Sequence, residues 1–326
     1  MRAATAVALL ALLAVAAALA GRAAGASAAT ARVGLVVPEG AIEQGGAGRL
    51  AYEGLKRAEL ELGVRGRVLE AGSAAGVSRA LTDLAAHGFE LVVAVGAEAA
   101  QPLAEAARRF PETSFAGVGV DWRTLAGRPR NALGLVFAWQ QAGYLAGYLA
   151  ALAERRLGGT AIGAVGGEQT PALARVLAGY RAGARKAARR VRVLVDVAGE
   201  DAGRGRCRAL ARAQIAQGAG VVLGVDGRCG LGALEAARAG RVWGIGADAD
   251  WSSLGPTVLA SGLERANTAV LAVARAYVRG GFRGGRNLVL DAAQGGVGLG
   301  TVSPRAARAD VLAARRLERR LAGRRP

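Results

Sequence analysis

Two carboxylates, Asp226 and Asp248, stand where this chain most plainly could hold a ligand. Residues 221–225 are a short apolar run ending in the turn Asp226-Gly227. Residues 231–239 carry apolar side chains at helical spacing, and 241–247 form a second β-like run that ends at Asp248 and Asp250. Strand, turn, helix and strand within some thirty residues make a βαβ unit, which is right-handed and parallel in nearly every known case. Ligands of open parallel sheets sit beyond the carboxyl ends of the strands, at a switch in strand order. The spacing therefore predicts Asp226 and Asp248 on one rim, a strand apart. Neither has a basic residue next to it, so the pair suits a neutral, hydroxyl-rich or cationic molecule and disfavours phosphate. The alternative is that each carboxylate caps the helix that follows it.

The elements that must position this pair extend on both sides. Strand-like runs at 32–37, 67–70, 91–95, 114–118 and 133–137 alternate with helical patterns at 50–62, 77–87, 99–109 and 140–156. The pattern restarts with strands at 160–165 and 191–197 and helices at 171–188 and 206–217, leading into the βαβ unit. An extended stretch at 258–261, a helix at 266–279 and a strand at 288–291 close the series. Two β-α series with no Pro/Ser-rich linker predict two similar α/β lobes joined by a hinge. The chain is expected to cross between them near 131–138, 261–263 and 284–288. The expected division is a first lobe of 30–135 plus 262–284, a second of 136–261 plus 285–305, and an Arg-rich tail at 306–326.

The 326 residues are 52% hydrophobic with 50 glycines, which fits a large apolar core with many tight turns. The net charge of +18 raises nucleic acid as a partner. Against it, the basic residues are nearly all Arg, spread over helices, with no aromatic-interleaved basic stripe. The densest basic block is the tail, where 315–325 reads as an exposed amphipathic helix. It is expected either as a solvated, frayed end or as a weak contact with anionic lipid or cell wall.

Residues 1–29 read as a secretory signal: Arg2, an apolar stretch at 6–20, and the A-x-A pattern Ala26-Ser27-Ala28. A retained anchor is the alternative. Arg22 stands where a lipobox would need Cys after Leu19-Ala20-Gly21, so export without a lipid anchor is expected. Cys207 and Cys229 are the two cysteines, and in an exported chain they are expected to form a disulfide at the same rim, clamping the turn that carries Asp226. With one histidine, His87, and no ligand-spaced cluster, no metal or cofactor is expected.

The sequence resembles the basic membrane protein (BMP) family of solute-binding proteins over about 31–302. The resemblance rests on Tyr52-Glu53-Gly54-Leu55, Phe110-Pro111-Glu112, Gly143-Tyr144-Leu145-Ala146-Gly147, Gly179-Tyr180-Arg181-Ala182-Gly183, Ile245-Gly246-Ala247-Asp248 and Val258-Leu259-Ala260-Ser261. It implies an α/β, type I periplasmic-binding-protein fold of two Rossmann-like lobes, a nucleoside-like ligand bound by lobe closure, and ABC permease partners. A monomer is expected. The resemblance carries Glu43 and Gln44 onto the family's first ligand loop, and Tyr52 onto its base-stacking aromatic. It carries Asp248 onto the acid that holds ribose hydroxyls. The family's acid after the strand at 114–118 falls on Gly119, with Asp121 as its replacement, and its second stacking aromatic falls on Gly199. Its lysine is Glu264 here. A non-transporting receptor with an altered pocket is the alternative. An α/β hydrolase or glycosyltransferase would need a nucleophile–base pair that the sequence does not present.

Overall fold

The computed structural model describes residues 30–44, 46–200, 202–248 and 250–323, excepting the side chains of Gln44, Asp248 and Leu263. The secretory signal lies outside the described residues. The first sheet contains β1 (Arg32–Pro38), β2 (Arg65–Ala71), β3 (Leu91–Val95), β4 (Ser114–Val118), β5 (Ala132–Phe137) and β11 (Arg286–Leu290), in the order β11-β5-β4-β3-β1-β2. All of its pairings are parallel. The second sheet contains β6 (Ala161–Gly166), β7 (Arg192–Val197), β8 (Ala219–Gly224), β9 (Trp243–Asp248), β10 (Val258–Glu264) and β12 (Val297–Leu299), in the order β12-β10-β9-β8-β6-β7. Here only β12 runs antiparallel, against β10.

Parallel sheets need helices on both faces, so their central strands read as continuous apolar runs. Leu91-Val92-Val93-Ala94-Val95 is such a run and is buried throughout. On one face of the first sheet lie α2 (Gly46–Leu62) and α9 (Ala266–Val278), with α1 (Ala41–Gln44) ahead of α2. The other face is covered by α3 (Ala74–Ala86) and α4 (Ala100–Arg109). The second sheet is flanked by α5 (Trp139–Arg156) with α6 (Pro171–Ala187) and, opposite, by α7 (Arg204–Ala216) with α8 (Gly227–Ala239). This is the two-lobed type I architecture the resemblance implies.

Helices α5 and α6 are packed backbone to backbone. A Cβ on Gly147 would lie 2.0 Å from the Tyr180 carbonyl oxygen, and one on Gly183 would lie 2.0 Å from that of Tyr144. These paired Gly-x-x-x-Gly segments are therefore the close-contact seam of the second lobe, with Tyr144 half-buried beside them.

The chain crosses between lobes after Phe137, after Glu264 and between Leu290 and Val297. The third crossing corrects the one expected at 284–288. Residues 286–290 pair in parallel with β5, so they belong to the first lobe, and the turn at 291–296 carries the chain over. The crossings are tied together: Ala138 N–H donates to the Leu290 carbonyl at 3.0 Å, and Arg265 N–H to that of Gly296 at 2.8 Å. Ala292 N–H donates to Gln141 Oε1 at 2.9 Å.

The tail also departs from the frayed end expected of it. Helix α10 (Arg308–Ala322) docks on the second lobe. Asp310 is buried and takes a two-pronged bond from Arg156 at 2.8 and 2.9 Å. Arg315 donates to the carbonyls of Leu299 and Gly300, and Glu318 accepts from Leu299 N–H. The cause is the apolar stripe of the helix: Ala314 is buried, and Leu321 packs against the cores of both lobes. Arg308, Arg316, Arg319 and Arg320 remain exposed.

Candidate functional site

Topology brings two rims together at the hinge. The first crossing leaves the carboxyl end of β5 and enters α5, whose far end feeds β6, so α5 starts beside the carboxyl ends of the second sheet. The second crossing leaves the carboxyl end of β10 and enters α9, whose far end feeds β11. Each therefore joins carboxyl end to carboxyl end, and the two carboxyl-end rims flank one hinge. Strand order reverses between β1 and β3 in the first lobe and between β6 and β8 in the second. Those switch points are where open α/β sheets hold ligands.

Asp226 lies at the switch point of the second lobe. Its Oδ2 accepts from Gly167 N–H, in the turn after β6, at 2.9 Å. It is positioned at the start of α8 but makes no side-chain cap there, so the capping alternative does not describe it. Its φ is +69°, in the left-handed region that a non-glycine residue adopts at a cost of about 1–2 kcal/mol. Burial pushes its carboxyl above the ordinary value, the Gly167 bond opposes this, and nearby Glu168 adds to it. Strain and a destabilised charge on one residue are characteristic of functional positions. Gly227 follows, exposed, with open space around its Cα.

The disulfide between Cys207 and Cys229 fixes this turn, with Cα atoms 5.2 Å apart. It ties the first turn of α7 to that of α8, where Cys229 N–H donates to the Asp226 carbonyl at 2.8 Å. Asp248 is the last residue of β9, in register with Leu263 of β10; its side chain lies outside the described residues. Trp251 packs against Gly246 and donates its indole N–H to the Ala247 carbonyl at 2.9 Å. Burial would raise the neighbouring Asp250 carboxyl, but bonds from Thr301 and Ser252 hold it below the ordinary value. Both side chains thus brace the turn after β9. Glu264 ends β10 and is half-buried, lining a narrow crevice with Gly143, Gly246 and Ala247.

On the first lobe, Glu43 is exposed in α1, and the Gln44 side chain lies outside the described residues. Tyr52 is half-buried against the core of the first lobe, with Lys56 Nζ 5.5 Å from its ring centre. Asp121 lies three residues past β4, against Asn287 near the start of β11. It caps a short 3₁₀ turn, accepting from Arg123 at 2.6 Å and from Asn287 at 2.6 Å. The Arg123 bond chiefly, with Asn287 and the Arg123 backbone against the effect of burial, holds its carboxyl far below the usual range.

Two acids that the motif reading passed over lie at the first lobe's switch point. Glu39 follows β1 and Glu98 follows β3, both exposed. With Pro38, Gly72 and Ser73 they line a depression of about 590 Å³. The rule applied to Asp226, an acid just beyond a strand's carboxyl end, would have found them. At Gly119 (φ +77°) and Gly199 (φ +97°), where the family pattern has an acid and an aromatic, a Cβ would meet nothing within 4 Å. The rim is open at both places.

Comparison with known proteins bears on the family and the fold. Residues 31–321 match Bmp, described as "ABC transporter substrate-binding protein PnrA-like". The ABC transporter nucleoside-binding protein BmpA of Lactococcus lactis subsp. cremoris is 27% identical over 272 residues, covering 77% of this chain and 76% of that protein. An uncharacterised lipoprotein of Pyrococcus horikoshii is 30% identical over 263 residues, 76% of this chain, which spans 64% of that protein's length. Among solved structures, an ABC transporter solute-binding protein from Conexibacter woesei superposes with TM-score 0.73 at 26% identity, covering 91% of this chain and 99% of that one. Another from Aeropyrum pernix gives 0.70 at 24%, covering 90% and 91%. The chain belongs to the Bmp family of ABC transporter substrate-binding proteins.

Proposed function

We propose that the chain is the extracytoplasmic component of an ABC importer and closes its lobes on a nucleoside or a similarly hydroxyl-rich small molecule. The observation that carries this reading is Asp226, strained and disfavoured as a charge, held at a topological switch point by one backbone bond. Such an arrangement costs the free protein stability and supplies a charged acceptor to a bound hydroxyl or N–H. Asp226 and Asp248, with Gly227 leaving room, would grip the ligand from the second lobe. Glu43, Gln44 and Tyr52 would meet it from the first, with Glu39 and Glu98 behind them. Glu264, at the second crossing, would contact it beside the hinge. The closed form, favoured only by a ligand that touches both lobes, is what permease subunits would read. The Lactococcus relative, a nucleoside-binding protein by name, supports the same ligand class. Export would follow from the signal at 1–29, without lipid attachment.

The test is isothermal titration of protein unfolded, dialysed and refolded to strip any carried ligand, against purine and pyrimidine nucleosides, their bases and ribose. Saturable one-to-one binding of a nucleoside is expected; a folded protein that binds none would refute the nucleoside reading. The open positions at Gly119 and Gly199 favour one other reading, a receptor that does not feed a transporter. Failure to support nucleoside uptake when co-expressed with a cognate permease, despite tight binding, would decide for it.

A further inference from the structure

A cavity of about 1090 Å³ is lined by none of the switch-point residues. It flanks the hinge, between the β5–β11 edge of the first lobe and α5, α6 and α10 of the second. Its wall is aromatic: Trp122 from the first lobe, Trp139 and Tyr144 from the second, all half-buried. Trp122 is fixed by its indole N–H, which donates to the Pro129 carbonyl at 3.0 Å. Its mouth is cationic, with Arg175, Lys186 and Arg320 exposed on the second lobe. The Arg175 guanidinium already lies 6.0 Å from the Trp139 ring centre. Asp121 is the one carboxylate among the lining residues, and its ion pair with Arg123 offsets its charge.

We propose that this cavity is a second ligand site, for a flat aromatic anion, separate from the switch-point site and coupled to the hinge. Rings give a planar apolar molecule its stacking surface, and exposed guanidinium groups provide the charge-assisted donors that carboxylate or phosphate prefers. The occupant would touch both lobes, so its affinity must depend on how far they are closed, and by linkage it must alter the affinity of the switch-point ligand. The acid-lined rims select against anions; this cavity selects for them.

The experiment titrates the full-length mature protein with 2-naphthoate, 1-naphthyl phosphate and the neutral isostere naphthalene-2-carboxamide, by calorimetry at low and physiological salt. One-to-one binding of at least one anion is expected, weakened by salt, with the carboxamide weaker by roughly tenfold or more. Preference between the two anions distinguishes a carboxylate from a phosphate ligand. The exposed-residue variants Arg175→Glu and Arg320→Glu should each lower anion affinity severalfold. Equal binding of anion and carboxamide, no binding of any probe, or indifference to both charge reversals would overturn the proposal. Because the probes are not nucleosides and the readout does not involve Asp226, failure here leaves the switch-point reading standing, and the reverse.

Discussion

Asp226→Asn separates ligand binding from folding more cleanly than any other change in this chain. Asparagine tolerates the left-handed backbone that the residue occupies at φ +69°. Its amide oxygen can still accept from Gly167 N–H, replacing the 2.9 Å bond to the carboxylate. What disappears is the charge. Because burial raises the folded carboxyl above its ordinary value of 3.8, this group's stability contribution is complete below that pH and is lost as pH rises through the folded value. At neutral pH the variant should therefore unfold no earlier than the parent, and the difference between them should shrink as pH falls toward 3.8. Ligand binding should move the other way. Hydrogen bonds to charged groups contribute about 1.5–3 kcal/mol against about 0.5–1.5 for neutral ones, so affinity should fall by roughly tenfold. Asp226→Ala is the contrasting control: it strands Gly167 N–H and places alanine in a left-handed conformation, costing on the order of 2–4 kcal/mol together. Urea melts and nucleoside titrations of parent and both variants are the assay. Loss of stability in the asparagine variant with affinity unchanged would make Asp226 a structural residue and refute the reasoning.

Gly183→Ala should destabilise the second lobe by about 1–3 kcal/mol in a urea melt, because its Cβ would meet the Tyr144 carbonyl oxygen and force α5 and α6 apart. Reducing the Cys207–Cys229 disulfide, or replacing both cysteines with serine, should cost about 2–4 kcal/mol and weaken ligand binding through the freed Asp226 turn, read by melts and titration in parallel. Arg156→Ala should release α10, and limited trypsin digestion should then remove the C-terminal helix well before the parent is cut. Glu154 is buried in α5, and burial raises its carboxyl above the ordinary 4.5, against bonds from Ala161 and Gly220. Its stability contribution is complete below that value and lost on going higher, so Glu154→Gln should gain stability relative to the parent as pH rises from 4.5 to 7, measured by urea melts across that range.

The sheets were legible because central parallel strands must be apolar throughout and their helices amphipathic, and those patterns survive in any order. Strand partnership was not. Residues 288–291 read as a strand, which forms at 286–290, but nothing local says whether β5 or β10 will pair with it, and the third crossing was misplaced for that reason. The tail was misread because its Arg content hides the few apolar positions that dock it, among them Ala314 and Leu321. Within the site, Asp226 could be located from its place after a strand, whereas its bond to Gly167 depends on β6 and β8 being neighbours, 59 residues apart in the chain. Glu39 and Glu98 obeyed the same strand-end rule and were passed over because the motif drew attention to Glu43 and Gln44. Asp121, two residues past the motif position at Gly119, was its expected replacement, yet Arg123 and Asn287 occupy it, the latter brought from 166 residues away.

A crystal structure of the chain with the nucleoside that binds most tightly in titration is the measurement that bears most directly on the central claim. The ligand is expected between the lobes, with a hydroxyl or N–H about 2.5–3.2 Å from the carboxylate of Asp226 or Asp248. A nucleoside seated elsewhere, with both carboxylates turned to solvent or held by the protein alone, would contradict it.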